Sequence, residues 1–108
     1  MEEYYHGQSM KQLRKLRELK PDLFSAFVDF DQKVFTSGTL DVKTKELIAV
    51  AVAHVTQCPF CIEAHTKRAH DAGAADAQIA EAIFVAMALR AGGSWAHSAI
   101  AMETLSGK

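Results

Sequence analysis

"KTKELIAVAVAHVTQCPFCIEAHTKRAH", residues 43–70, carries two helical runs joined at "TQCPF", and the reading of that join decides the fold. Ahead of it, "LIAVAVAHV" is apolar around most of its circumference, the pattern of a helix covered on all sides. Behind it stands Pro59, whose missing N–H and fixed φ suit the first position of a new helix. Cys58 then becomes the cap residue and Cys61 falls in the first turn. A turn near Gln57 would lay the two runs antiparallel, with both cysteines of the chain where the second run begins.

Working outward, helical spacing continues on both sides. "SMKQLRKLRELK" places Leu13, Leu16 and Leu19 on one stripe and stops at Pro21. From Pro21 to about Phe35, Leu23, Phe24, Phe27, Phe30 and Val34 make a second stripe, and "TSG" breaks the chain after it. Asp41 is placed to cap the helix through Val55. The helix begun at the cysteines runs to about Gly73. A fifth follows over about Asp76–Arg90, and "GG" then separates a sixth from about Ser94 to Leu105. No Asn-Gly or Asp-Gly pair and no strict alternation suggests a hairpin of strands. The fold class expected is all-α, with about six helices. At 108 residues the chain suits a single domain over 1–108, its core about 20–105 and residues 1–8 flexible.

The bulk numbers exclude several classes. A net charge of −1 gives no electrostatic footprint for nucleic acid or for an acidic membrane surface. The apolar runs "LIAVAVAHV" and "IAEAIFVAMAL" are shorter than the ~20 residues that cross a bilayer, so no membrane partner is expected. "MEEYYHGQ" is polar and acidic, unlike a secretory leader, and a cytoplasmic location follows as the expectation. Six short helices also offer too little surface to cover two helices apolar all round. Burial by further copies of the chain is the simplest remedy, and a homo-oligomer is expected.

In a reducing compartment a cysteine pair is more often catalytic or metal-binding than a structural bridge. At a helix start, both sulfurs lie near free backbone N–H groups and the positive end of the macrodipole, which stabilises a thiolate. At ~100° per residue, Cys61 falls near ~300° and His65 near ~340° from Cys58, so the three share one face. His65, four residues after Cys61, is a base beside a nucleophile. His70 and Glu63 point elsewhere. In the antiparallel hairpin Glu46 lies level with the second turn of the cysteine helix, beside His65, where a carboxylate orients an imidazole. His54, Trp95 and His97 are left outside the site. Covalent haem is excluded because Ile62, not His, follows Cys61, and a thioredoxin fold because no strands flank the motif. A metal-binding module with Cys58, Cys61 and His65 as ligands, and Glu46 or His54 as a fourth, stays open.

Glu46, eleven intervening residues, Cys58-x-x-Cys61 and then His65 resemble the active-site pattern of alkylhydroperoxidase D-like proteins, in the carboxymuconolactone decarboxylase superfamily. The resemblance spans roughly residues 20–105, including "LDVKTKELIAVAVAH" and "IAEAIFVAMALRAGG". It implies a helical trimer or hexamer without a cofactor, and Glu46, Cys58, Cys61 and His65 as one catalytic set. It also implies a thiol-dependent peroxidase or disulfide oxidoreductase, whose partners are a small hydroperoxide and an external thiol reductant or a peroxiredoxin. In that scheme Cys61 attacks the peroxide and Cys58 resolves; the opposite order stays open, because Cys58 is nearer the helix end. Two features depart from the family: Phe60 stands where some members carry histidine between the cysteines, and the chain is one short repeat unit. The decarboxylase branch lacks the cysteine pair, and lactone-acid decarboxylation is the alternative reading.

Overall fold

A computed structural model describes residues 7–107, and the first part of the stretch expected to be flexible lies outside them. Among the described residues the chain is helical throughout: α1 (Gly7–Leu19), α2 (Pro21–Val34), α3 (Val42–Thr56), α4 (Pro59–Asp71) and α5 (Asp76–Leu105). The starts follow from local chemistry. Pro21 occupies the first turn of α2. Asp41 caps α3, its carboxylate accepting from the Thr44 N–H at 2.8 Å. The side chain of Gln78 accepts from the Ala75 N–H at 2.9 Å, closing the first turn of α5. Between α3 and α4, Gln57 takes the left-handed conformation (φ 57°, ψ 46°) and its N–H returns to Ala53 O. One residue therefore reverses the chain.

The number of helices differs from expectation. Gly92 and Gly93 lie inside α5, which runs unbroken for 30 residues. Glycine is permissive rather than prohibitive within a helix, at about 1 kcal/mol relative to alanine, and both positions here keep helical backbone. Joining the two expected segments also changes their length. By length and composition alone, Asp76–Leu105 is long and apolar enough to cross a membrane.

α3 is the centre of the packing, with α4 against one side and α5 against another. The core is small: Val50, Ala69 and Ala74 are buried, and Leu47, Ile79 and Ile83 pack against them. Arg90 ties the middle of α5 to the end of α3, donating to Val55 O at 2.6 Å. The first two helices and the second half of α5 extend away from this unit. The radius of gyration is 18.0 Å, against about 13 Å for a compact chain of this length. Large apolar side chains are correspondingly uncovered, among them Phe30 (67 % exposed), Trp95 (80 %) and Leu105 (79 %).

Candidate active site

The site is built where α4 begins against the middle of α3. Cys58 caps α4, its Sγ accepting from the Cys61 N–H at 3.3 Å, and Pro59 follows in the first turn. Both cysteines are free thiols, partly buried, with their sulfurs 2.6 Å apart. They are chemically unequal. A hydrogen bond from the Cys61 thiol holds the Cys58 pKa below the ordinary thiol value. The N–H groups of Cys61 and Phe60 add to this, while burial opposes it. Cys61 is pushed up to about 11, first because its proton is engaged by Cys58, then by burial and by the negative charges of Cys58 and Asp31. Cys58 is therefore the more acidic of the two thiols, in keeping with its place nearer the helix end. Backbone N–H groups lower both thiols, and the proton they share sets them apart.

His65 lies one turn beyond Cys61, mostly shielded, and its Nδ1 is 2.7 Å from Glu46 Oε1. Glu46 is only 3 % exposed, the one charged side chain among the buried residues described. A carboxylate buried this deeply requires a partner, and the imidazole edge supplies it. An ionised carboxylate can only accept, so Nδ1 carries the hydrogen and Nε2 keeps the lone pair that can take a proton. The antiparallel hairpin thus brings together all four residues expected in the site.

A cavity of about 630 Å³ opens on this cluster. Cys61 and His65 line it, with Phe35, Lys45 and a largely apolar wall that includes Leu40, Ile48 and Val52. Cys58 is not among its lining residues. Three residues here were not anticipated from the sequence. Phe35 stacks on His65, with ring centroids 5.0 Å apart and planes at 27°. Lys45 stands in the cavity wall, and Asp31 acts on Cys61 through its charge. All three depend on where the end of α2 meets the hairpin, for which no local pattern exists.

His54, Trp95, His97, Glu63 and His70 are not among the residues that line this cavity. His54 Nδ1 donates to Val50 O at 2.7 Å and His97 Nδ1 to Gly93 O at 3.0 Å, each a bond within its own helix. Glu63 and His70 are exposed. Among the described residues, no three of the His, Cys, Asp and Glu side chains are grouped closely enough to hold a metal ion.

The profile of the carboxymuconolactone decarboxylase family matches residues 21–104. The chain belongs to this family. The match runs from α2 to nearly the end of α5. Among similar proteins is "uncharacterized protein 4 in cox locus" of Paracoccus denitrificans, 55 % identical over 80 residues, or 74 % of this chain and 72 % of that protein. The fold agrees with a carboxymuconolactone decarboxylase family protein from Legionella pneumophila at a TM-score of 0.70. That match has 35 % identity and covers 85 % of this chain and 82 % of that one. A family member from Thermotoga maritima matches with a TM-score of 0.64 and 34 % identity, covering 74 % and 71 % of the two chains. An antioxidative response is named as a possible role of that protein.

Proposed function

We propose that the chain is a thiol-dependent peroxidase of the carboxymuconolactone decarboxylase family, reducing small organic hydroperoxides with Cys58 and Cys61. One observation carries the reading: two free thiols 2.6 Å apart, one of them sharing a cavity with a histidine whose far edge is held by a buried carboxylate. The antioxidative role named for the Thermotoga relative supports it.

The chemistry follows from the inequality of the sulfurs. His65 Nε2 takes one proton from the pair, and Glu46 stabilises the resulting imidazolium. The remaining proton lies between two sulfurs close enough to exchange it, so the thiolate at Cys58 is one short transfer from a thiolate at Cys61. Cys61 faces the cavity and attacks the distal oxygen of the hydroperoxide. The O–O bond breaks, Cys61 becomes a sulfenic acid, and the departing alkoxide takes the proton back from His65 as an alcohol. The Cys58 thiol then displaces water from the sulfenic acid, and a disulfide forms. The sum is two thiols and one hydroperoxide giving a disulfide, an alcohol and water. A second thiol system, small-molecule or peroxiredoxin, must return two electrons. A cytoplasmic setting would supply it. A homo-oligomer, trimer or hexamer, belongs to the same reading, since the apolar surface on α2 and α5 has no cover among the described residues.

The test is a thiol count by mass spectrometry on reduced protein after treatment with excess tert-butyl hydroperoxide, alongside a Cys61→Ser variant. Loss of two thiols and gain of one intramolecular disulfide is the expected result. Survival of both thiols would falsify the reading. Turnover of a lactone acid that is indifferent to replacing both cysteines would move the chain to the decarboxylase branch.

A further inference from the structure

The end of α2 reaches the site through side chains alone. Lys45 Nζ donates to Val34 O at 2.7 Å and to Thr36 O at 2.6 Å, the two carbonyls that flank Phe35. Val34 O belongs to the negative end of α2 and Thr36 O lies just beyond it, so an ammonium there is favoured both as donor and as charge. Phe35, held between the two anchored carbonyls, lies against one face of the His65 ring. The next residue after Lys45 on α3 is Glu46, which holds the Nδ1 edge of the same ring. Backbone packing does not duplicate this tie. Among the described residues no Cα of α2 comes within 8 Å of one in α3, α4 or α5.

A single hydrogen bond at Nδ1 still lets the imidazole tilt about its Cβ–Cγ bond, which moves Nε2. A second contact on the ring face removes that freedom. We propose that Lys45 and Phe35 are positioning residues for His65. Lys45 anchors the end of α2, and Phe35 fixes the plane of the imidazole and with it the direction of Nε2. The catalytic meaning of this device rests on the peroxidase reading, whereas the fixed ring is a property that spectroscopy detects without turnover. The pairing also explains two features that the four-residue set leaves unused. A lysine in an apolar cavity wall spends two donors on backbone carbonyls, and an aromatic ring at a helix end lies half-buried against a histidine instead of joining the exposed stripe of α2.

The experiment compares Phe35→Leu, Phe35→Tyr, Lys45→Met and Lys45→Arg in the full chain. Two readouts are needed: ring-nitrogen shifts of His65 in ¹⁵N-labelled protein, and turnover of tert-butyl hydroperoxide. Wild type is expected to show one tautomer, with Nδ1 protonated. Phe35→Leu and Lys45→Met are expected to shift the nitrogens toward averaged values. Both are expected to lower kcat about tenfold with KM nearly unchanged, because misplacing a catalytic group by a fraction of an ångström acts on the chemical step. Phe35→Tyr and Lys45→Arg preserve the stack and the cation and are expected to stay within about twofold. Should Phe35→Leu fail to fold, Lys45→Met decides, since it leaves the ring in place. Folded Lys45→Met with unmoved nitrogen shifts overturns the proposal, as does a moved ring with wild-type turnover. If the shifts move but not even wild type consumes peroxide, the positioning stands and the peroxidase reading falls.

Discussion

The α3–α4 hairpin and the arm formed by α1 and α2 are both helical pairs, but among the described residues the hairpin has a buried core and the arm has none. In the hairpin, Val50 and Ala53 are buried, Glu46 is buried with a partner, and no buried side-chain polar atom among the described residues lacks a hydrogen bond. In the arm, Leu16, Leu19, Leu23, Phe27 and Phe30 all face outward, and no residue of α2 is fully buried. The second half of α5 resembles the arm. The hairpin also exposes Val42, Ile48, Val52 and Val55, yet it alone of the two pairs has a buried core. If the proposed chemistry needs only the hairpin, substitutions there and on the outward faces of α2 and α5 will separate in their effects.

The largest effect expected is on the site side. Cys61→Ser should drop peroxide turnover to background while leaving helix content and mass in solution unchanged; a coupled loss of both would merge the two regions. Glu46→Gln is nearly isosteric and keeps a hydrogen-bond acceptor for Nδ1, but it removes the charge that steadies the imidazolium. A fall of about 10²-fold in turnover is expected, at the lower end of what general-base assistance is worth. Equal rates in variant and wild type would leave Glu46 a structural partner only.

On the assembly side, light scattering is expected to give a mass several times the 11.8 kDa of the chain. Leu89→Asp, on the exposed face of α5, is expected to reduce that mass while both thiols still oxidise. A wild-type monomer in dilute buffer would remove the distinction drawn between the regions. Within the hairpin, Val50→Ala leaves a void in a core with few large side chains, and a loss of about 2 kcal/mol in denaturant unfolding is expected.

The smallest effect concerns proton placement. A lowered Cys58 pKa means thiolate at a pH where a free thiol is still protonated, and a Cys61 value of about 11 means the reverse. Iodoacetamide at neutral pH is therefore expected to label Cys58 first, as read by peptide mapping. Removing the donor with Cys61→Ala raises the Cys58 pKa again, shifts its labelling profile to higher pH and slows labelling at neutral pH several-fold. Preferential labelling of Cys61 in the wild type would reverse the order of acidity given for the two thiols.

What could be read from the sequence was what is decided locally. Asp41 and Pro59 mark helix starts through bonds spanning three or four residues, and Cys58 follows from Pro59. Glu46 beside His65 needed only a count back from one tight turn. The break expected at Gly92–Gly93 was an over-reading of glycine, which lowers helix stability without forbidding it. Phe35, Lys45 and Asp31 were invisible for another reason. Their roles depend on how the end of α2 meets the hairpin, and periodicity fixes which face of a helix is apolar, not which distant residue it meets. The inequality of the cysteines was missed because helix-start placement favours both sulfurs, and only their shared proton separates them.

The cap of α4 has one further consequence. In the proposed chemistry the atom that begins this helix is also a reacting atom, so secondary structure and redox state would draw on the same lone pairs. Reduced, Cys58 Sγ offers the Cys61 N–H an acceptor with growing negative charge; oxidised, that sulfur is neutral and a weak acceptor. Whatever stabilises the reduced helix start is lost on forming the bridge, and by the thermodynamic cycle the reduction potential rises accordingly. The pair would thus be an electron acceptor that is readily recharged. Its disulfide would be a transient form, marked by faster amide exchange in the first turn of α4.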